Sequence, residues 1–157
     1  MILQLKQIFE ITGQSLDFSE IIDIPEIEKA SLYENFAAPV EICGTVKNRA
    51  GVVTLEYSLK AVLNQNCDRC LEAFEREYNF DFSHTLMLEL ANHGDADDDL
   101  YDDYILCPDN TLDMSKLAIS DLLLSLPTKI LCRNDCAGLC MSCGKNLNYG
   151  VCDCNDN

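Results

Sequence analysis

The sequence predicts an α+β fold: a mostly antiparallel β-sheet, one packed C-terminal helix and then a cysteine-rich tail. Three observations predict it. Apolar residues alternate with period two through the middle of the chain, one stretch of helical periodicity follows at residues 112–126, and six of the ten cysteines crowd into residues 132–154. With 157 residues and 48% hydrophobic content, the chain can bury one ordinary core with a small appended module. The expected division is residues 1–126 as an antiparallel β core, carrying an acidic loop at about 92–110 and the helix at about 112–126, with residues 127–157 as the cysteine-rich tail docked on it.

Taken in order, Ile2 to Phe9 and Leu16 to Ile24 read as short extended runs, and Ile27 to Phe36 as a segment holding a short helix. A strand at Val40 to Val46 leads into Lys47-Asn48-Arg49-Ala50-Gly51, whose Asn and Gly suit a hairpin turn. Val53, Leu55, Tyr57, Leu59, Ala61 and Leu63 then alternate with mostly polar residues, as on a strand with one buried face. Cys67-Asp68-Arg69-Cys70 falls in the next turn. A second long strand follows, with Phe74, Tyr78, Phe80, Phe82, Leu86, Leu88 and Leu90 on one face and Glu75, Glu77, Asn79, Asp81, Ser83 and Glu89 on the other. His84 lies on the apolar face and is expected to be a hydrogen-bonded core histidine, whereas His93 is expected in solvent.

Residues 95–103 hold six aspartates in nine positions, a density that resists compaction and predicts a solvated loop. They lack the glycine and terminal glutamate that a calcium-binding EF-hand loop needs. The helix is capped by Thr111 or Asp113 and stopped by Pro127, with Ile119, Leu122, Leu123 and Leu126 on its buried face. Its end lies just before Cys132, so docking it on the sheet would carry Cys132 toward the Cys67/Cys70 turn.

Eight cysteines stand at metal-ligand spacing: Cys67, Cys70, Cys132, Cys136, Cys140, Cys143, Cys152 and Cys154. Tetrahedral Zn²⁺ takes four thiolates, and a Cys-x-x-Cys turn delivers two from one loop, which makes the tail zinc-ribbon-like and implies one or two zinc ions. One scheme forms a long-range site from Cys67, Cys70, Cys132 and Cys136 and a local one from Cys140, Cys143, Cys152 and Cys154, whose short intervening loop closes at low entropic cost. The other scheme pairs the two Cys-x-x-Cys turns in a single site. Both remain open on the sequence. Cys43 and Cys107, without cysteine neighbours, are expected to be free thiols.

Met1 to Gln7 lack the basic region, apolar stretch and cleavage site of an export signal. A reducing, cytoplasmic setting is therefore expected, where grouped cysteines are metal ligands or redox groups more often than disulfides. No stretch approaches the roughly 20 apolar residues of a membrane span. The net charge of −16 resides in residues 1–126, because Lys129, Arg133 and Lys145 balance Asp135, Asp153 and Asp156 in the tail. With no basic stripe to neutralise phosphates, direct tight binding to RNA or DNA is disfavoured, and direct rRNA contact would be secondary. An acidic surface attracts basic proteins, of which ribosomal proteins are the most abundant. Asp97, Asp98 and Asp99 are candidate contacts for such a partner. No Ser/His/Asp arrangement, phosphate-binding glycine loop or aimed carboxylate pair is found, so a non-enzymatic role is expected.

Cys67-Asp68-Arg69-Cys70-Leu71-Glu72, Leu126-Pro127, the run from Leu131 to Asn148 and Cys152-Asp153-Cys154 resemble the YceD family over roughly residues 37–154. These are bacterial and plastid proteins associated with accumulation of large-subunit ribosomal RNA. The resemblance implies a role in large-subunit assembly or rRNA stability with no catalytic step. Family genes often lie beside that of a small basic large-subunit ribosomal protein, which fits the expectation, drawn from the acidic charge, of a basic ribosomal protein or large-subunit assembly factor as partner. The alternative from another class is a redox-switched zinc chaperone that releases its metal on oxidation. In that reading Arg69, Lys129, Arg133 and Lys145 raise the thiolate character of the cysteines.

Overall fold

The structure, a computed structural model, describes residues 1–25, 27, 35–88 and 104–154. The aspartates 97–99, His93 and most of the helix expected at Ile27 to Phe36 lie outside the described residues.

Four strands form an antiparallel sheet in chain order: β2 (Ser15–Ile22), β3 (Val40–Arg49), β4 (Val52–Asn66) and β5 (Ala73–Met87). A short strand β6 (Tyr104–Leu106) extends the far edge parallel to β5, so the sheet is mostly antiparallel, as expected, with one parallel pairing at its edge. The two-stranded ribbon β1 (Ile2–Gln4) with β7 (Thr111–Asp113) stands apart. Among the described residues, the helices α1 (Lys6–Glu10) and α2 (Met114–Ser125) also contribute to the core.

The period-two pattern of β4 is borne out residue by residue. Val53, Leu55, Tyr57, Leu59, Ala61 and Leu63 are all buried, while Glu56, Ser58, Lys60 and Asn64 are exposed. Burying a leucine or valine side chain stabilises by roughly 1.5–3 kcal/mol, so this one face supplies much of the core. Gly44 lies opposite Tyr57 in the β3–β4 pairing, and a Cβ there would come within 2.4 Å of the Glu56 carbonyl oxygen. Only hydrogen fits at that position.

Ile2 to Phe9 departs from a single extended run. After Gln4 the spacing of buried residues changes from two (Leu3, Leu5) to three (Leu5, Ile8), and the chain turns into α1 with Phe9 N–H donating to the Leu5 carbonyl. Asn48 also departs from its expected place in the turn. The hairpin turns at Ala50 and Gly51, both with positive φ. Asn48 is buried in β3 instead, donating to the Ile8 carbonyl at 2.7 Å and accepting from Gly51 N–H at 3.0 Å. Its side chain ties α1 to the sheet.

The helix begins at Met114 rather than Leu112, because residues 111–113 pair with β1. Asp113 caps it, accepting from Lys116 N–H, and Pro127 follows its end. Ile119 and Leu122 are buried against the sheet, and Leu123 and Leu126 pack at the margin. His84 hydrogen-bonds Asp121 of α2 at 2.7 Å, and the Tyr57 hydroxyl donates to the same carboxylate, a polar bridge between helix and sheet. Docked this way, α2 delivers residues 127–131 to the β4–β5 turn. Ile130 and Asp68 pair there through Asp68 N–H to the Ile130 carbonyl at 2.8 Å and Ile130 N–H to the Asp68 carboxylate at 2.6 Å.

Candidate metal centres

Eight thiols gather into two sets of four, Cys67, Cys70, Cys132, Cys136 and Cys140, Cys143, Cys152, Cys154, with the sulfurs of each set within 4.8 Å of one another. The two Cys-x-x-Cys turns therefore lie in different clusters. Four sulfurs held about 2.3 Å from a common centre at tetrahedral angles stand about 3.8 Å apart. The Cys67–Cys136 and Cys70–Cys132 sulfurs are each 3.7 Å apart, and Cys140–Cys152 is tighter at 3.3 Å. None is bonded as a disulfide, which needs about 2.05 Å. Each cluster is a set of soft donors that can hold one metal ion.

Both turns use the same backbone device. Cys67 N–H donates to the Glu72 carbonyl and Leu71 N–H returns to the Cys67 carbonyl; Cys140 N–H donates to the Lys145 carbonyl and Gly144 N–H returns to the Cys140 carbonyl. The residue after the second cysteine is left-handed in each, at φ 59° for Leu71 and 73° for Gly144. This conformation directs the turn's amides at the first sulfur. Burial pushes the Cys67 thiol up, but the amides of Cys132, Cys70 and Arg69 outweigh it and hold the thiol at about 6. The amides of Cys143 and Ser142 likewise bring Cys140 to about 6. The last protons resist. Burial and the neighbouring thiols of Cys70, Cys67 and Cys136 push Cys132 up to about 12, and Cys143, burial and Cys140 do the same to Cys154. Several negative sulfurs cannot coexist at this distance without a cation among them.

The supporting groups differ between the clusters. Around the first, Cys67, Cys70 and Cys136 are buried, with Phe74, Leu131 and Leu139 packed against them. Arg69 donates to the Cys136 carbonyl at 2.9 Å and Arg76 donates to the Leu131 carbonyl. Asn148 donates to the Cys136 sulfur at 3.3 Å and accepts from Ala137 N–H at 2.7 Å, and it lowers the Cys136 thiol more than any other group. Around the second cluster Cys143 is exposed and the rest are half-buried. Its loop is closed by Lys145 Nζ donating to the Val151 carbonyl at 2.8 Å.

Sequence reasoning placed all eight cysteines but not these supports. Arg69 contributes its main-chain amide to lowering the Cys67 thiol and its guanidinium to the Cys136 carbonyl. Asn148 sits on the 3₁₀ turn Leu147–Tyr149, where the Asn146 side chain accepts from Asn148 N–H; Asn-x-Asn after a cysteine turn is the one signal that pointed to it. Of the other two cysteines, Cys43 is exposed on β3 and Cys107 is buried in the core, where burial raises its thiol.

Fold and site together define a strand-rich α+β protein with one tetrathiol cluster spanning the sheet and tail and a second within the tail. The chain belongs to the YceD family, described as large ribosomal RNA subunit accumulation protein YceD, whose match covers residues 55–157 and so all eight clustered cysteines. It is 25% identical to the uncharacterized protein YlbN of Bacillus subtilis (strain 168) over 82% of this chain and 72% of that one. It is 28% identical to the chloroplastic large ribosomal RNA subunit accumulation protein YCED homolog 1 of Zea mays, over 70% of this chain but only 46% of the maize protein. No solved structure matches the chain. Among the described residues, no helix is long and apolar enough to cross a membrane.

Proposed function

We propose that this protein is a non-enzymatic, cytoplasmic zinc-binding factor that supports large ribosomal subunit assembly or accumulation of its rRNA, acting through its acidic surface on a basic ribosomal protein or assembly factor. The observation that carries the proposal is that the family match contains both tetrathiol clusters, one of them at the sulfur spacing of a tetrahedral metal. An all-thiolate tetrahedral set suits Zn²⁺ as a structural ion, with no open position for chemistry. The net charge of −16 favours a basic protein over naked RNA as the direct contact.

Native mass spectrometry of protein purified without chelator is expected to find two zinc ions, with Cys43 alkylated quickly and Cys107 slowly. A strain lacking the gene is expected to lose large subunits and their rRNA, with rescue by the intact chain and not by Cys67→Ser. Normal subunit levels in that strain, or tight salt-insensitive binding of naked rRNA, would sink the proposal.

The exposure of the second cluster favours one other reading, a switch in which oxidation ejects its zinc. Mild peroxide separates the two. A switch releases one zinc and gains client binding, whereas a scaffold keeps both ions until harsh oxidation unfolds it.

A further inference from the structure

The face of the β2–β5 sheet turned away from the core is exposed across all four strands. Register puts Ser19, Cys43, Ser58 and Asp81 in one row across it, so its centre is floored by small side chains. Two adjoining hollows of about 350 and 410 Å³ meet over Cys43, Ser58 and Asp81. Carboxylates border them. Asp17 accepts the Thr45 hydroxyl at 2.6 Å and Asp81 accepts the Ser58 hydroxyl at 2.6 Å, which fixes both acids without neutralising them. The lysines of the face are already committed, Lys47 to Glu56 at 2.7 Å and Lys60 to Glu77 at 2.9 Å, with Glu41 also opposite Lys60. Exposed Ile21 sits at the rim.

A solvated face is ordinary for an antiparallel sheet, but an ordinary one carries long side chains of mixed sign that fill its surface. Here small residues leave a trough at the centre, and the acids about it, Asp17, Glu41, Glu56, Glu77 and Asp81, outnumber the lysines beside them, Lys47 and Lys60. We infer that this trough is the docking surface for an arginine- or lysine-rich segment of a partner protein, whose guanidinium groups would bridge Asp17, Glu41 and Asp81 while its main chain lies over the small floor. Carboxylates held in place by hydroxyl donors suit the planar, two-pronged guanidinium. Phosphate is repelled by the same surface, so the occupant is protein and not RNA. This inference rests on the basic-partner reading above and assigns its surface to the sheet instead of to Asp97, Asp98 and Asp99.

The test uses the full zinc-loaded chain, a fluorescent peptide of alternating arginine and alanine as probe, and site-resolved alkylation of Cys43 as reporter. Binding is expected to weaken with salt and to slow Cys43 alkylation by about 10-fold or more, as burial beneath a docked chain requires. Glu41→Lys with Asp81→Lys should abolish both effects, with circular dichroism and metal content unchanged. The milder Glu41→Gln with Asp81→Asn gives the same answer with a smaller drop, should charge reversal disturb the fold. Asp97→Asn, Asp98→Asn and Asp99→Asn together should leave both effects intact. The assignment is overturned if the bound peptide leaves Cys43 fully reactive, if the loop substitutions and not the sheet substitutions release it, or if an RNA oligonucleotide protects Cys43 instead. A peptide that fails to bind at any salt removes the basic-partner reading itself, a result distinct from binding elsewhere.

Discussion

The two tetrathiol clusters use one backbone turn in opposite ways. The first draws two sulfurs from the β4–β5 hairpin and two from a segment more than sixty residues later, inside an apolar shell. The second draws all four from residues 140–154 and leaves Cys143 in solvent. A metal in the first closes a long loop and joins tail to sheet, whereas a metal in the second orders only the tail. Closure entropy grows with loop length, so the first contributes more to the stability of the whole chain.

Replacing one ligand in each cluster should give the largest contrast. Cys67→Ser and Cys143→Ser are each expected to drop the metal content from two ions to one. Cys67→Ser should also lower the melting temperature of the sheet by about 10 °C or more, corresponding to several kcal/mol, while Cys143→Ser leaves the sheet's melting nearly unchanged. Equal effects on the sheet would erase the distinction. Thermal melts followed by circular dichroism, beside metal analysis, decide it.

Deleting residues 138–157 asks whether the first cluster stands alone. All four of its cysteines remain, so one metal ion should stay bound. The deletion nevertheless removes Asn148, the group that donates to the Cys136 sulfur and holds Ala137. Asn148→Ala isolates that loss. Removing a supporting group commonly costs 10- to 100-fold in metal affinity, and a drop of about that size is expected at the first cluster with the second unchanged. A chelator competition resolved by native mass spectrometry measures the two separately. An unchanged first cluster would make Asn148 a part of the tail's own turn and nothing more.

What was legible in the sequence follows from how each contact is encoded. The β4 strand was readable because every second residue from Val53 to Leu63 is buried, and α2 because Ile119 and Leu122 repeat at helical spacing. Cysteine is scarce and chemically distinct, so its spacing carried the clusters even at long range. The transition from β1 to α1 was not legible, because Leu3, Leu5 and Ile8 fit a strand as far as Leu5 and a helix thereafter. Nor was Asn48, whose identity suits a turn equally well; only the presence of the Ile8 carbonyl, forty residues away, makes it a buried clamp. The bonds from Asp68, Arg69 and Arg76 to main-chain groups of residues 130–136 leave no pattern in either segment. A side chain recognised by backbone has no partner residue to reveal it.

The smallest expected effect bears on the shared turn. Leu71 adopts the left-handed conformation that Gly144 adopts in the other cluster, and its side chain is 67% exposed, so little packing opposes its removal. A non-glycine residue held there costs about 1 kcal/mol or somewhat more, against a glycine's greater freedom in the unfolded chain. Leu71→Gly should therefore stabilise the protein by a few tenths to about 1 kcal/mol, a rise of a few degrees in melting temperature. Gly144→Ala imposes the opposite change on the second turn, where a Cβ meets nothing within 4 Å, so its cost is conformational alone. Because that turn orders only the tail, the cost should appear as weaker metal retention at the second cluster with the sheet's melting unmoved. If Leu71→Gly destabilises instead, the leucine is holding the first turn through its side chain, and the likeness between the two turns ends at their hydrogen bonds.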